Sequence, residues 1–182
     1  MKIVAIVQAR MGSSRLPGKV LKKIVGKTAI ELLLTRLRRS ELIDEIVVAT
    51  SIKEENDPLC NEVESLGFKC FRGSELDVLD RFYNTSIQEK ADIIVRITGD
   101  CPIVDHQVVD QVISQFLQAN VDYVSNIDPP TFPDGLDVEV FTMASLAAAH
   151  FNATSDFDRE HATPFIRNSD FKKIMQRPMS II

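Results

Sequence analysis

The segment Ile3-Val-Ala-Ile-Val-Gln-Ala-Arg-Met-Gly-Ser-Ser-Arg-Leu-Pro-Gly-Lys19 runs from an apolar strand straight into a loop of cations, small hydroxyls and glycines. Arg10, Arg15 and Lys19 can neutralise phosphate oxygens. Gly12 and Gly18 let backbone N–H groups come close to an anion, because no side chain stands in the way. Ala9, Ser13 and Ser14 of the same loop are further candidates for nucleotide binding. The composition reads as a phosphate cradle, and the number of cations points to a nucleoside triphosphate. A basic surface turn without a ligand is the plainer alternative, and the density of cations argues against it.

Two familiar phosphate motifs are excluded by spacing. A Walker A loop encloses four residues between its glycines and places Ser or Thr after the lysine, whereas Gly12 to Gly18 encloses five and Val20 follows Lys19. The dinucleotide fingerprint G-x-G-x-x-G does not occur among the seven glycines, which argues against NAD.

The 182 residues are 45% hydrophobic, which suits a single domain with a sizeable core. The net charge of −5 is unevenly spread, since residues 1–40 carry ten Lys or Arg against one acid, Glu31. A local positive field in an acidic chain suits a small polyanion. A nucleic-acid partner would require a broad basic face, so none is expected. Cys60, Cys70 and Cys101 are odd in number and lack a C-x-x-C, which indicates neither a disulfide framework nor zinc and fits a reducing cytoplasm. No apolar run is long enough to span a membrane, so a soluble protein is expected.

Thr28-x-x-Glu31 has capping-box form, and Ile30, Leu33, Leu34 and Leu37 follow helical spacing, predicting a helix over 28–40. Residues 45–50, 68–71, 93–98 and 122–125 read as strands, and residues 57–66, 77–89 and the stretch around Val109–Phe116 as helices. This alternation predicts a doubly wound α/β fold with a mostly parallel sheet. Ligands of such sheets bind beyond the carboxyl ends of the strands, so loops starting at Ala9, Thr50, Gly99 and Asn126 should share one rim. The proline-rich stretch 127–135 is expected to be a site loop.

Asp100, directly after the strand at 93–98, is a candidate Mg²⁺ ligand, since a hard cation bridging triphosphate oxygens takes one or two carboxylates. A helix cap or Asx-turn ahead of Pro102 is the alternative. In Asp134-Gly-Leu-Asp-Val-Glu-Val140, strand alternation puts Asp137 and Glu139 on one face. That pairing is costly unless a cation lies near, which makes both candidate metal ligands or else residues of a solvated edge. Asp134 reads as loop solvation. Between Gly73 and Arg81, Asp77, Asp80 and Arg81 can contact base or ribose, although an acidic helix start explains the same pattern. Phe157-Asp-Arg-Glu-His161 has no role assignable from spacing.

These blocks resemble the cytidylyltransferase family that includes CMP-KDO synthetases and acylneuraminate cytidylyltransferases, and most of all its spore-coat polysaccharide F-type branch. The resemblance rests on residues 8–19, Arg72-Gly-Ser74 with 77–82, 96–102, 133–141 and 158–161. It implies a Rossmann-like nucleotidyltransferase fold of glycosyltransferase-A type, with Arg10, Arg15 and Lys19 on the triphosphate, Asp100 on Mg²⁺ and Asp137 as second ligand. It also implies transfer of CMP from CTP to a sugar, with an acidic sugar for surface polysaccharide as the expected acceptor, and a homodimer. A glycosyltransferase of the same fold using an existing nucleotide sugar, and a non-catalytic nucleotide-binding module, are the competing readings. The chain is shorter than is usual in the family and ends in Arg177-Pro-Met-Ser-Ile-Ile182, so a single domain over 1–182, truncated at its C-terminus, is expected.

Overall fold

The computed structural model describes residues 1–13 and 16–175. Its first half alternates strand and helix: β1 (Ile3–Gln8), a short hairpin of β2 (Lys23–Ile24) and β3 (Lys27–Thr28), α1 (Ala29–Leu37), β4 (Glu45–Ser51), α2 (Asp57–Ser65), β5 (Lys69–Gly73), α3 (Val78–Glu89) and β6 (Ile93–Thr98). The second half comprises α4 (His106–Ala119), β7 (Tyr123–Ser125), β8 (Glu139–Thr142), α5 (Met143–Asn152), α6 (Asp156–His161), α7 (Pro164–Asn168) and β9 (Lys173–Met175). Most helix starts carry a side-chain cap, α2 and α7 being without one. Thr28 accepts from the Glu31 amide at 3.1 Å, as the capping-box spacing requires, and Asp77 accepts from the Asp80 amide at 2.8 Å.

Seven strands form one sheet in the order β5-β4-β1-β6-β8-β7-β9, parallel throughout except that β8 runs antiparallel to both its neighbours. The strands around β1 are apolar on both faces because helices cover both sides. Ile3, Ala5 and Val7 of β1 pack into a core with α1, α2 and α4, while Val4 and Ile6 face a second core built with α3, α5 and α7. The mostly parallel sheet expected from the sequence is therefore present. The antiparallel β8 was not legible in the periodicity.

That reversed strand corrects the reading of residues 134–140. Regular strand begins only at Glu139, so Asp137 lies in the approach to β8 and strand alternation does not relate the two carboxylates as expected. Because β8 opposes β6, with Glu139 opposite Arg96, its amino end lies at the same rim as the carboxyl ends of β1 and β6. The rim is close-packed where those two strands end. The Gly99 amide donates to the Gln8 carbonyl at 2.8 Å, and a Cβ on Gly99 would stand 2.6 Å from that of Ala9, so glycine is needed there.

Candidate functional site

The cation loop leaves β1 and returns through a tight turn at Gly18, whose φ of +66° places it in the left-handed region and whose amide donates to the Met11 carbonyl at 2.9 Å. The buried Asn56 ahead of α2 fastens the loop from behind, accepting from the Met11 amide at 2.8 Å. Its own amide donates to Ser51 Oγ at 2.8 Å, so a satisfied buried side chain links β4, α2 and the loop.

Within this frame Gln8, Ala9, Arg10, Gly12, Ser13, Lys19, Thr98, Gly99 and Asp100 enclose a cleft of about 270 Å³. Lys19 reaches across it, with Nζ 2.5 Å from Asp100 Oδ2. Burial raises the Asp100 carboxyl, but the hydrogen bond and charge of Lys19 outweigh it and hold the group below its ordinary value. Arg10 is exposed and pairs at 3.2 Å with Glu75. Ser14 and Arg15, both expected on the phosphates, lie outside the described residues.

Ser13, Lys19, Thr98 and Asp100 also border a second cleft of about 690 Å³, which the Cys101–Ile103 turn and Asp134, Gly135 and Asp137 complete. Asp100 and Asp137, expected together from the sequence, thus face one space. Burial, then the charges of Asp134 and Glu139, push the Asp137 carboxyl above its usual value. The charge of Arg96 opposes that rise only in part, and among the described residues no ion pair ties Asp137 to a cation as Lys19 ties Asp100.

Glu139 does not join them. It is 2% exposed, forms an ion pair with Arg96 on the adjacent strand, and accepts from the Tyr123 hydroxyl at 2.6 Å. The cation that a buried carboxylate needs is here a guanidinium, which removes Glu139 from the expected metal ligands. Burial alone would raise its carboxyl, yet Arg96 and the hydrogen bonds hold it below the ordinary range. Arg96 donates in turn to Gln8 at the end of β1, so the network supports the rim from beneath.

A third cleft, of about 530 Å³, opens on the other side of Gln8 and Arg10 and is lined by the 75–78 segment, Arg81, Arg159 and His161. Arg81 is 1% exposed and donates to the Ser74 carbonyl at 2.6 Å. Desolvation lowers its guanidinium to about 10. Asp77 caps α3 with one oxygen and holds Arg159 of α6 with the other, at 2.5 and 2.8 Å. The acidic helix start expected around Asp77 is present, and Arg81 lies on the cleft wall. Sequence reasoning missed Gln8, Asn56 and Arg96. The signals were a glutamine or arginine inside an otherwise apolar strand and an asparagine ahead of Asp-Pro.

The family model described as Cytidylyltransferase matches residues 4–181. An uncharacterized protein of Methanocaldococcus jannaschii is 47% identical over 91% of this chain and 67% of its own length. The spore coat polysaccharide biosynthesis protein SpsF of Bacillus subtilis is 38% identical over 91% of this chain and 70% of its own. A 3-deoxy-manno-octulosonate cytidylyltransferase of Geobacter metallireducens is 32% identical over 63% of this chain and 44% of its own. The solved structure of a cytidylyltransferase from Leptospira borgpetersenii superposes with a TM-score of 0.93 at 33% identity, covering 98% of this chain and 77% of that one.

Proposed function

Because the chain belongs to the cytidylyltransferase family, we propose that it transfers CMP from CTP to the hydroxyl or anomeric oxygen of an acidic sugar and releases pyrophosphate. The supporting observation is the pair of adjoining clefts, which share Lys19 and Asp100, with Arg10 lining the first and Asp134 and Asp137 lining the second. An acidic sugar is favoured by the likeness to the 3-deoxy-manno-octulosonate enzyme, and surface polysaccharide synthesis by the spore-coat relative. The homodimer and the cytoplasmic setting remain part of this reading, and light scattering tests the dimer.

Attack on an α-phosphorus surrounded by negative oxygens needs cationic stabilisation and in-line positioning more than a strong base. Lys19 answers that need. Its ammonium lies 2.5 Å from Asp100 Oδ2, and triphosphate oxygens are anionic acceptors of the same kind. Arg10 at the mouth of the cleft meets the same anion, while the Ser13 segment brings backbone N–H groups close to it.

Mg²⁺ fits the donors present. Three acids line the second cleft, and two of them, Asp100 and Asp137, offer hard oxygens to a metal; among the described residues no group of three or more His, Cys, Asp or Glu could enclose one without help. That suits an ion that takes one or two carboxylates and completes its shell with phosphate and water. Asp100 and Asp137 would hold it, and when bound it neutralises charge developing on the phosphate oxygens.

The test is pyrophosphate release from CTP, UTP, GTP and ATP with Mg²⁺ and a panel of acidic sugars. The expected result is release with CTP and at least one 2-keto sugar acid. No release with any nucleotide would overturn the proposal.

A further inference from the structure

We propose that Cys60 and Cys70 form a reversible intramolecular disulfide that staples α2 to β5. Along β5, alternation sends Cys70 and Arg72 to one face while Phe71 joins the opposite core. On α2, Asp57 and Cys60 are three residues apart and share a face. The two faces meet as two rungs, Arg72 Nη1 with Asp57 Oδ1 at 2.5 Å and Cys60 Sγ with Cys70 Sγ at 2.7 Å. The backbone sets this crossing independently of the sulfurs, since the Phe68 amide donates to the Val63 carbonyl at 3.1 Å and Gly67 turns the chain with φ +77°.

Neither cysteine lines any of the three clefts, so the pair is separate from the proposed transfer site. The rungs nevertheless bear on the cleft wall. Arg72 donates to the carbonyls of Ser51 and Lys53, the segment that leads to Asn56 and its hold on the cation loop. A covalent link one helical turn away restrains that segment.

The oxidant is a small disulfide such as oxidised glutathione. The Cys70 thiolate attacks one glutathione sulfur, forming a mixed disulfide and releasing a glutathione thiolate. The Cys60 thiolate then attacks Cys70 Sγ and releases the second. The two protons lost by the protein end on two glutathione thiols, so a dithiol is oxidised and a disulfide reduced. Burial and the hydrogen bond with Cys60 raise the Cys70 thiol, so the first step is slow at neutral pH and accelerates as pH rises.

The experiment incubates the whole chain with oxidised glutathione at about pH 8.5, close to the ordinary cysteine value, and follows it by intact mass, non-reducing peptide mapping and thermal melting. The expected product is lighter by two hydrogens, carries a Cys60–Cys70 cross-link and melts roughly 5–10 °C higher, as expected when a short loop is closed in a chain of this size. Dithiothreitol reverses the change. Cys60→Ala and Cys70→Ala abolish it, and Cys101→Ala keeps it. A stable glutathione adduct on Cys70, a cross-link through Cys101, or an oxidised protein that melts no higher would each overturn the proposal. The oxidised and reduced wild type are the same polypeptide, so the comparison does not depend on how the variants fold.

Discussion

Replacing Glu139 by Gln separates a structural carboxylate from a metal ligand. The side chain is 2% exposed and neutralises Arg96, which is itself largely buried, while accepting from Tyr123. Glutamine keeps the shape and one acceptor but leaves the guanidinium without a counter-charge. Breaking a buried pair from one side costs about 3–5 kcal/mol. At roughly 2–4 °C per kcal/mol for a chain of this size, the melting temperature should fall by roughly 6–20 °C. The folded carboxyl lies below its unfolded value of about 4.3. Its contribution is therefore complete above that value and is lost as pH falls through the folded one. The gap between wild type and variant should be widest at neutral pH and narrow in acid. Urea denaturation at a series of pH values measures this directly, and Arg96→Met/Glu139→Leu should be less destabilised than Glu139→Gln, since it removes both charges. A Glu139→Gln protein with wild-type stability that has lost Mg²⁺-dependent nucleotide binding would refute the reasoning and return Glu139 to the metal site.

Lys19→Ala should melt close to wild type, because its partly exposed pair with Asp100 contributes at most about 1 kcal/mol, while kcat falls about 10²–10³-fold as one preorganised cation is lost; calorimetry of CTP binding and steady-state kinetics check both. Asp137 has a raised carboxyl pKa, so folding disfavours its charged form and its stability contribution declines as pH rises through the folded value; Asp137→Asn should therefore melt slightly higher than wild type at neutral pH while losing turnover, as differential scanning fluorimetry and pyrophosphate release will show. Asp77→Ala removes the α3 cap and frees Arg159, which should cost about 1–2 kcal/mol by urea denaturation and loosen α6 in hydrogen exchange.

The sheet was largely legible because its signals are local. Buried runs such as 93–98 and amphipathic spacing such as Ile30, Leu33, Leu34 and Leu37 report on a residue's immediate surroundings, and the structure places these elements within a few residues of expectation. The errors fall where a partner distant in sequence decides. The helix expected to continue to residue 40 ends at Leu37, the last position that reaches the core, and the strand expected to include Asp137 begins at Glu139, where pairing with β6 and β7 becomes available. Nothing in the alternation of 134–140 specifies strand direction, so β8 was invisible as the reversed member of the sheet.

The same limit applies to the candidate site. Lys19 and Asp100 were legible as members of one rim because Lys19 belongs to the loop that leaves β1, Asp100 closely follows β6, and parallel strands end together. Asp137 joins them for a different reason, because an antiparallel strand starts where its parallel neighbours finish. The argument from charge cost was sound in requiring a cation beside Glu139, but a sequence lists Arg96 forty-three positions away without indicating that strand register sets the two opposite each other. A buried carboxylate in a strand is therefore evidence for a cation of some kind, and only the pairing register can distinguish a metal from a guanidinium. Here the register assigns the guanidinium to Glu139, leaving Asp137 as the acid in the second cleft whose charge is opposed by burial and by its acidic neighbours.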